Sequence, residues 1–374
     1  RQSFAPRQRI PQAWVSPCWL LAGPIPQSRY SHGATTSRIS ALALGPQSRH
    51  RQAQGGVVEK EFYQDLLDQM SDGVYFVTPD RRITYWNAGA ERITGYDAQE
   101  VLGHSCAEGI LRHVDDTGQQ LCLHGCPLAA VMEDGKPRKA LVYLHHKDGH
   151  CIPVTVRAEA LRDRTGKIVG SVQVFSGKTS GPSEGERRVR TDDSLDRVTG
   201  LTERRFGDMY LRSLIDAVGD GAVTLGILSI GIDHLEDVSD KFGPETADEV
   251  LAMIGKSLTN GLRRGDLAVR WGAMEFLALM PGADGDGLQA SAERVRMLVE
   301  NSWILSGGDQ VRVTVSVGAT MAAPNETADD LVARAGAFMR ASQHSGGNRL
   351  TTDAGEIIHT ADQPILGTAV PWAT

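Results

Sequence analysis

Residues 263–276 read Arg263-Arg264-Gly265-Asp266-Leu267-Ala268-Val269-Arg270-Trp271-Gly272-Ala273-Met274-Glu275-Phe276, and Phe276-Leu277-Ala278-Leu279-Met280-Pro281 continues them as an apolar run of strand length. The run opens with an arginine and an aspartate three residues apart, Arg263 and Asp266. Two positions matter more for chemistry. Glu275 carries a carboxylate, but its neighbour Met274 offers a thioether. A thioether bears no charge and cannot serve Mg²⁺, which takes hard oxygen ligands in near-octahedral geometry.

The flanking sequence supplies a scaffold. Upstream, Thr224-Leu225-Gly226-Ile227-Leu228-Ser229-Ile230 is a continuous apolar run, expected as a buried strand. Downstream, Leu288 to Val299 reads as a helix, Val311 to Gly318 alternates as a strand, and Ala328 to Gln343 reads as the last helix.

These segments, in this order, resemble the GGDEF (diguanylate cyclase) family. Asp196-Arg197-Val198-Thr199-Gly200-Leu201-Thr202-Glu203-Arg204-Arg205-Phe206 is similar to the family's opening D-x-L-T-G-L-x-N-R-R-x-F. Gly272-Ala273-Met274-Glu275-Phe276 stands where the family has Gly-Gly-Asp/Glu-Glu-Phe. The resemblance implies a central nucleotidyl-cyclase-like sheet surrounded by helices, and a site that makes cyclic di-GMP from two GTP on Mg²⁺. It also implies that much of that site is missing. Gly231 replaces the first metal-binding Asp of D-x-D, and Ala273 and Met274 replace the hairpin's Gly and acidic residue. Gln343 and Gly347 replace the Lys and Arg that hold the triphosphate, and Ser239 replaces a guanine-contacting Asn. Asp233, Glu275 and the guanine-contacting Asp248 remain. Phosphoryl transfer depends on metal ions and cations to neutralise the triphosphate. Losing one such electrostatic group costs roughly 3 kcal/mol of barrier. No catalytic residue is therefore expected, and Mg²⁺ has a place only if the cyclase is active.

The R-x-x-D pair Arg263 and Asp266 stands where the family binds cyclic di-GMP as an inhibitor, with Arg294 or Arg296 as the expected assisting cation. A solvated turn with an incidental ion pair is the competing reading.

Between residues 57 and 178 a second pattern appears. Glu59 to Gln69 reads as a helix. Gly73 to Val77 and Ile83 to Asn87 read as strands around a Thr78–Arg82 turn, and Leu141–Leu144, Ile152–Ala158 and Ile168–Phe175 read as further strands. Asn87-Ala88-Gly89-Ala90-Glu91-Arg92-Ile93-Thr94-Gly95-Tyr96 resembles the PAS signature N-x-x-A-x-x-x-x-G-[YF]. That resemblance implies an antiparallel sheet with flanking helices and a sensory role. Cys106, Cys122 and Cys126, with His113 and His124 nearby, have donor chemistry for a metal or haem, or for redox-active thiols. Buried cysteines acting as small apolar side chains are the plainer alternative. His145 and His146 are adjacent in a strand, so they point to opposite faces and are not expected to ligate one ion together.

The expected organisation is thus α+β/α/β in two domains. Residues 1–55 form a disordered Arg/Ser/Pro-rich segment, 57–178 a PAS sensor, 179–195 a linker, 196–352 a degenerate GGDEF domain, and 353–374 a tail. The full chain has 374 residues and a net charge of −7. The first 55 residues hold seven Arg and no Lys, Asp or Glu. Removing them from 39 basic side chains leaves 32 against 46 acidic ones, a balance of −14. Such an acidic body argues against DNA as a partner. No apolar run is long enough to span a membrane, and a cytoplasmic location is expected. Expected partners are cyclic di-GMP or GTP, a second copy in a homodimer, and a protein partner. A weakly active or gated cyclase and a bare dimerisation scaffold are the alternative functions.

Overall fold

Two β-sheets, each with its own apolar core, divide the chain. The computed structural model describes residues 63–106, 108, 110–123, 125–177 and 194–357. The expectations for residues 1–55, the start of the helix at Glu59, His124, and most of the linker and tail lie outside these.

The first sheet contains β1 (Gly73–Val77), β2 (Ile83–Trp86), β3 (Arg138–His145), β4 (Cys151–Arg162) and β5 (Ile168–Gly177). Its order is β2-β1-β5-β4-β3, antiparallel throughout. Short helices α1 (Ala88–Thr94), α2 (Ala98–Val101) and α3 (Pro127–Asp134) pack beside it. Asn87 explains why the N-x-x-A-x-x-x-x-G pattern folds as it does. Its fully buried side chain accepts hydrogen bonds from Val74 N (2.7 Å) and Ala90 N (2.8 Å). It donates to Leu67 O (2.7 Å) and Asp72 O (3.0 Å). One amide therefore caps α1 and ties it to β1 and to the preceding helical residues. Gly95 ends α1 in the left-handed region, φ 76°, where glycine carries no Cβ penalty.

The second sheet runs β14-β13-β12-β7-β9-β8-β6. Its strands are β6 (Thr202–Glu203), β7 (Leu225–Asp233), β8 (Leu267–Arg270), β9 (Glu275–Pro281), β12 (Thr314–Met321), β13 (Leu350–Thr352) and β14 (Gly355–Ile357). Central β7 is buried along its whole length, which is why it reads as continuous apolar sequence. Around the sheet lie α4 (Arg204–Gly219), α5 (Leu235–Phe242), α6 (Pro244–Gly261), α7 (Gly285–Glu300) and α8 (Ala328–His344). The expected strand Val311–Gly318 is divided. Val311 closes a hairpin of β10 (Ile304–Ser306) with β11 (Asp309–Val311), and β12 begins at Thr314. Arg312, between them, leaves the alternation to lie 5.1 Å from the Trp303 ring. β14 lies beyond residue 352, in the stretch read as a tail, and pairs with β13.

The two domains form one compact body. The β3–β4 turn of the first inserts against α6 and α7 of the second. His145 stacks on Trp303, ring centroids 3.3 Å apart and planes 11° from parallel. Trp303 N donates to Gly149 O (2.9 Å), and Asn260 Nδ2 donates to Cys151 O (3.0 Å). Val114, Tyr143 and Cys151 share one buried cluster with Met297 and Leu298. Each fully buried side chain of this kind contributes roughly 1.5–3 kcal/mol.

Candidate functional site

The β8–β9 hairpin places the diagnostic residues beside β7. Glu275 pairs with Gly231 and Phe276 with Ile230 across the sheet. Ile232 N donates to Met274 O at 3.0 Å, while Trp271 N and Gly272 N both donate to Glu275 O at 3.0 Å. The Met274 side chain packs against the main core of the second domain instead of standing free at the hairpin tip.

Gly231 is enclosed. A Cβ at this position would lie 2.7 Å from Gln343 Nε2 and still closer to Met339 Sδ, both on α8. The ends of two flexible helix side chains thus lie over the place where the family has a metal-binding aspartate. Asp233 is buried, and its carboxylate accepts hydrogen bonds from Thr314 Oγ1 (2.8 Å), Ser316 Oγ (2.8 Å) and Asn348 N (2.9 Å). It clamps the turn after α8 to the sheet. Gly347 lies against it with φ 76°, and a Cβ there would sit 3.1 Å from the carboxylate. The two positions read as missing phosphate cations therefore border Gly231 and Asp233, and neither offers a charge. Glu275 is half-buried beside the turn; a Cβ on Gly272 would be 3.8 Å from its Oε2.

Arg270 was not singled out from sequence, although its place before the hairpin was the available signal. Its guanidinium lies 4.7 Å from the Phe276 ring and donates to Ala273 O. Nη1 is buried without a hydrogen-bond partner. Burial lowers its pKa, opposed by the Asp196 and Asp248 charges. Asp248 itself is exposed on α6. This end of the hairpin carries the polar groups of the site.

Arg263 and Asp266 are brought together, but onto each other. Arg263 Nε donates to Asp266 Oδ1 (3.0 Å), Arg263 N to Asp266 Oδ2 (3.1 Å), and Nη2 to Pro281 O (2.9 Å). The Asp266 side chain is fully buried and that of Arg263 is half exposed. Arg294 lies on the same side, its Nε donating to Gly261 O at 2.6 Å. Arg296 does not. Its buried guanidinium is held by Glu293, Glu300 and Asn348.

In the first domain, Cys106, Cys122 and Cys126 line one cavity with His113, Tyr75, Arg81 and Gln173. Cys122 Sγ is 3.8 Å from His113 Nδ1, and His113 Nε2 is buried without a partner. The open space is about 10 Å³, room for roughly one water, so a haem does not fit it as built. Burial pushes the Cys106 thiol up to about 12 and raises that of Cys122. Protonated thiols are poor nucleophiles, which disfavours the redox reading. Among the described residues, no three ligand atoms of this set converge within 4.8 Å; that distance is met by His146, Asp148 and His150.

Comparison with known proteins bears on both domains. The model of the diguanylate cyclase GGDEF domain matches residues 193–349, and a PAS-domain model matches residues 71–175. Diguanylate cyclase A of Treponema denticola is 33% identical over 37% of this chain and 37% of its own length. Probable diguanylate cyclase DgcE of Escherichia coli is 25% identical over 78% of this chain and 26% of its own. The chain therefore spans only about a quarter to two fifths of these relatives. Among solved structures, the GGDEF domain of DgcB from Caulobacter crescentus in complex with c-di-GMP is 26% identical over 44% of this chain and 98% of that one, with a TM-score of 0.42. No helix among the described residues is long and apolar enough to cross a membrane.

Proposed function

We propose that this chain, which matches a PAS-domain model over residues 71–175 and the GGDEF-domain model over residues 193–349, is a non-catalytic component of cyclic di-GMP signalling. In this reading the PAS domain takes an input. The GGDEF domain, its synthetic site lost, acts as a cyclic di-GMP receptor through Arg263 and Asp266 or docks a protein partner. The observation that carries the non-catalytic part is that β7 and the facing hairpin offer Gly231 and Met274 where the family has carboxylates, with the ends of Met339 and Gln343 lying over Gly231. Met274 is partly buried against the core, and Glu275, cross-strand from Gly231, is the one carboxylate left on the hairpin. Asp233 is committed to three structural hydrogen bonds.

The receptor part rests on Arg263, Asp266 and Arg294 sharing one side of the domain. A dinucleotide would have to share Asp266 with, or take it from, Arg263, so binding carries the cost of opening an ion pair. Asp266 is fully buried, so that cost is offset only where the ligand itself donates to the carboxylate that Arg263 gives up. Calorimetric titration of the full chain with cyclic di-GMP tests this part. Binding at micromolar concentration that disappears in Arg263→Ala supports a receptor; no heat at all removes that role. Incubation with GTP and Mg²⁺ or Mn²⁺ tests the other part. Product above that of a Glu275→Ala control would make the protein a cyclase after all.

A further inference from the structure

The β3–β4 turn, His145-His146-Lys147-Asp148-Gly149-His150, carries a cluster outside both sites described above. One ring nitrogen each from His146 and His150 and a carboxylate oxygen of Asp148 lie within 4.8 Å of one another. His146 and His150 stack face to face across the turn, centroids 4.5 Å apart. His146 Nδ1 lies 3.7 Å from Asp148 Oδ2 and accepts the Asp148 amide hydrogen at 2.9 Å. His150 is only 7% exposed, and its Nδ1 has no hydrogen-bond partner. A buried ring nitrogen left unpaired is costly unless something fills its lone-pair direction.

We propose that this turn binds one divalent first-row transition-metal ion, with Zn²⁺ as the representative, through His146, Asp148 and His150. Two imidazoles and a carboxylate suit such ions better than Mg²⁺ or Ca²⁺, which prefer all-oxygen sets. Ligand atoms around one such ion, at about 2.0–2.2 Å from it, sit closer together than in the present arrangement, so the turn closes slightly on binding. At present the positive charge beside Asp148 comes from the second domain: Lys256 Nζ is 2.7 Å from Asp148 Oδ2. The ion and Lys256 therefore compete for one carboxylate. The same turn carries the His145 stack and the Gly149 and Cys151 contacts, so occupancy is felt where the domains meet.

The test uses the full chain, stripped of metal, titrated with Zn²⁺ by calorimetry and with Co²⁺ by absorbance. One equivalent should bind at micromolar concentration or tighter, without the near-ultraviolet charge-transfer band that thiolate–cobalt bonds produce. His146→Gln and Asp148→Asn should each weaken binding at least tenfold, with melting curves checking that they fold. Lys256→Met should strengthen binding several-fold, a gain that misfolding cannot imitate. Absence of binding would overturn the proposal, as would binding unchanged in all three variants. A thiolate band that vanishes in Cys122→Ser would overturn it too, and would move the ion to the cysteine cavity.

Discussion

The imidazole of His145 lies flat on the indole of Trp303, at 3.3 Å between centroids, and its Nε2 reaches the Trp303 carbonyl at 3.3 Å. Arg112 and Arg312 flank the same indole at 4.8 and 5.1 Å. Trp303 is thus the point on which the two domains meet. Trp303→Ala should cost about 3–5 kcal/mol, the range for emptying a large aromatic site. It should also split a single calorimetric unfolding transition into two, one for each domain.

Acid should loosen the same body. Burial lowers His113 to about 4 and His145 to about 3, from an ordinary value of about 6.5. Between those limits the unfolded chain takes up protons that the folded chain refuses. Stability from the neutral rings is complete above about pH 6.5 and is lost as pH falls, by roughly 1.4 kcal/mol per unit for each ring. Melting temperatures in chelator-treated buffer should be nearly flat from pH 8 to 7 and fall steeply from 6.5 to 5. His145→Gln should flatten the slope; a wild-type curve without a fall would refute the assignment.

Restoring the aspartate at position 231 should not restore a cyclase. Its Cβ meets Met339 and Gln343, and the carboxylate would be buried beside them. Both neighbours are flexible side-chain ends that can move aside, so the cost lies in burying the carboxylate. Gly231→Asp should therefore lower the melting temperature and leave GTP turnover at background, measured by scanning calorimetry and by product chromatography.

Arg263→Ala should cost about 1–3 kcal/mol, because it takes the counter-charge and one donor from the fully buried Asp266 carboxylate, leaving it the Arg263 backbone amide. Urea melts check this. Ligand binding by the variant is therefore compared under conditions where the melts show it folded.

Asn87→Ala should cost about 2–4 kcal/mol, since it removes a helix cap and leaves several buried backbone groups unpaired. A loss below 1 kcal/mol in denaturant melts would show that water replaces the amide.

How much of this was readable from the chain varies with distance along it. Gly73–Val77 matched the expected strand because alternation is local, and Asn87 and Gly95 sat at the helix ends their chemistry favours. The absence of carboxylates at positions 231 and 274 needed only residue identities. What lies over Gly231 did not follow, because Met339 and Gln343 arrive from another helix. The expectation that His145 and His146 would not share an ion rested on strand geometry, and the two rings do have different neighbours: Trp303 for one, His150 for the other. The grouping of His146 with Asp148 and His150 escaped notice because a turn, not a strand, sets it. Arg294 and Arg296 looked equivalent, and only folding separated the one near Gly261 from the one locked among acids.

The seating of the β3–β4 turn on Trp303 has a consequence for how a signal travels. Where two modules are joined only by a helix, inserting residues rotates one against the other and scrambles the message. Here the contact surfaces set the angle between the modules, so spacer length drops out. Adding four or five Gly and Ser residues between positions 178 and 193 should leave both modules in the same relative pose. A shift of the β3–β4 turn would press on α6 and α7 directly.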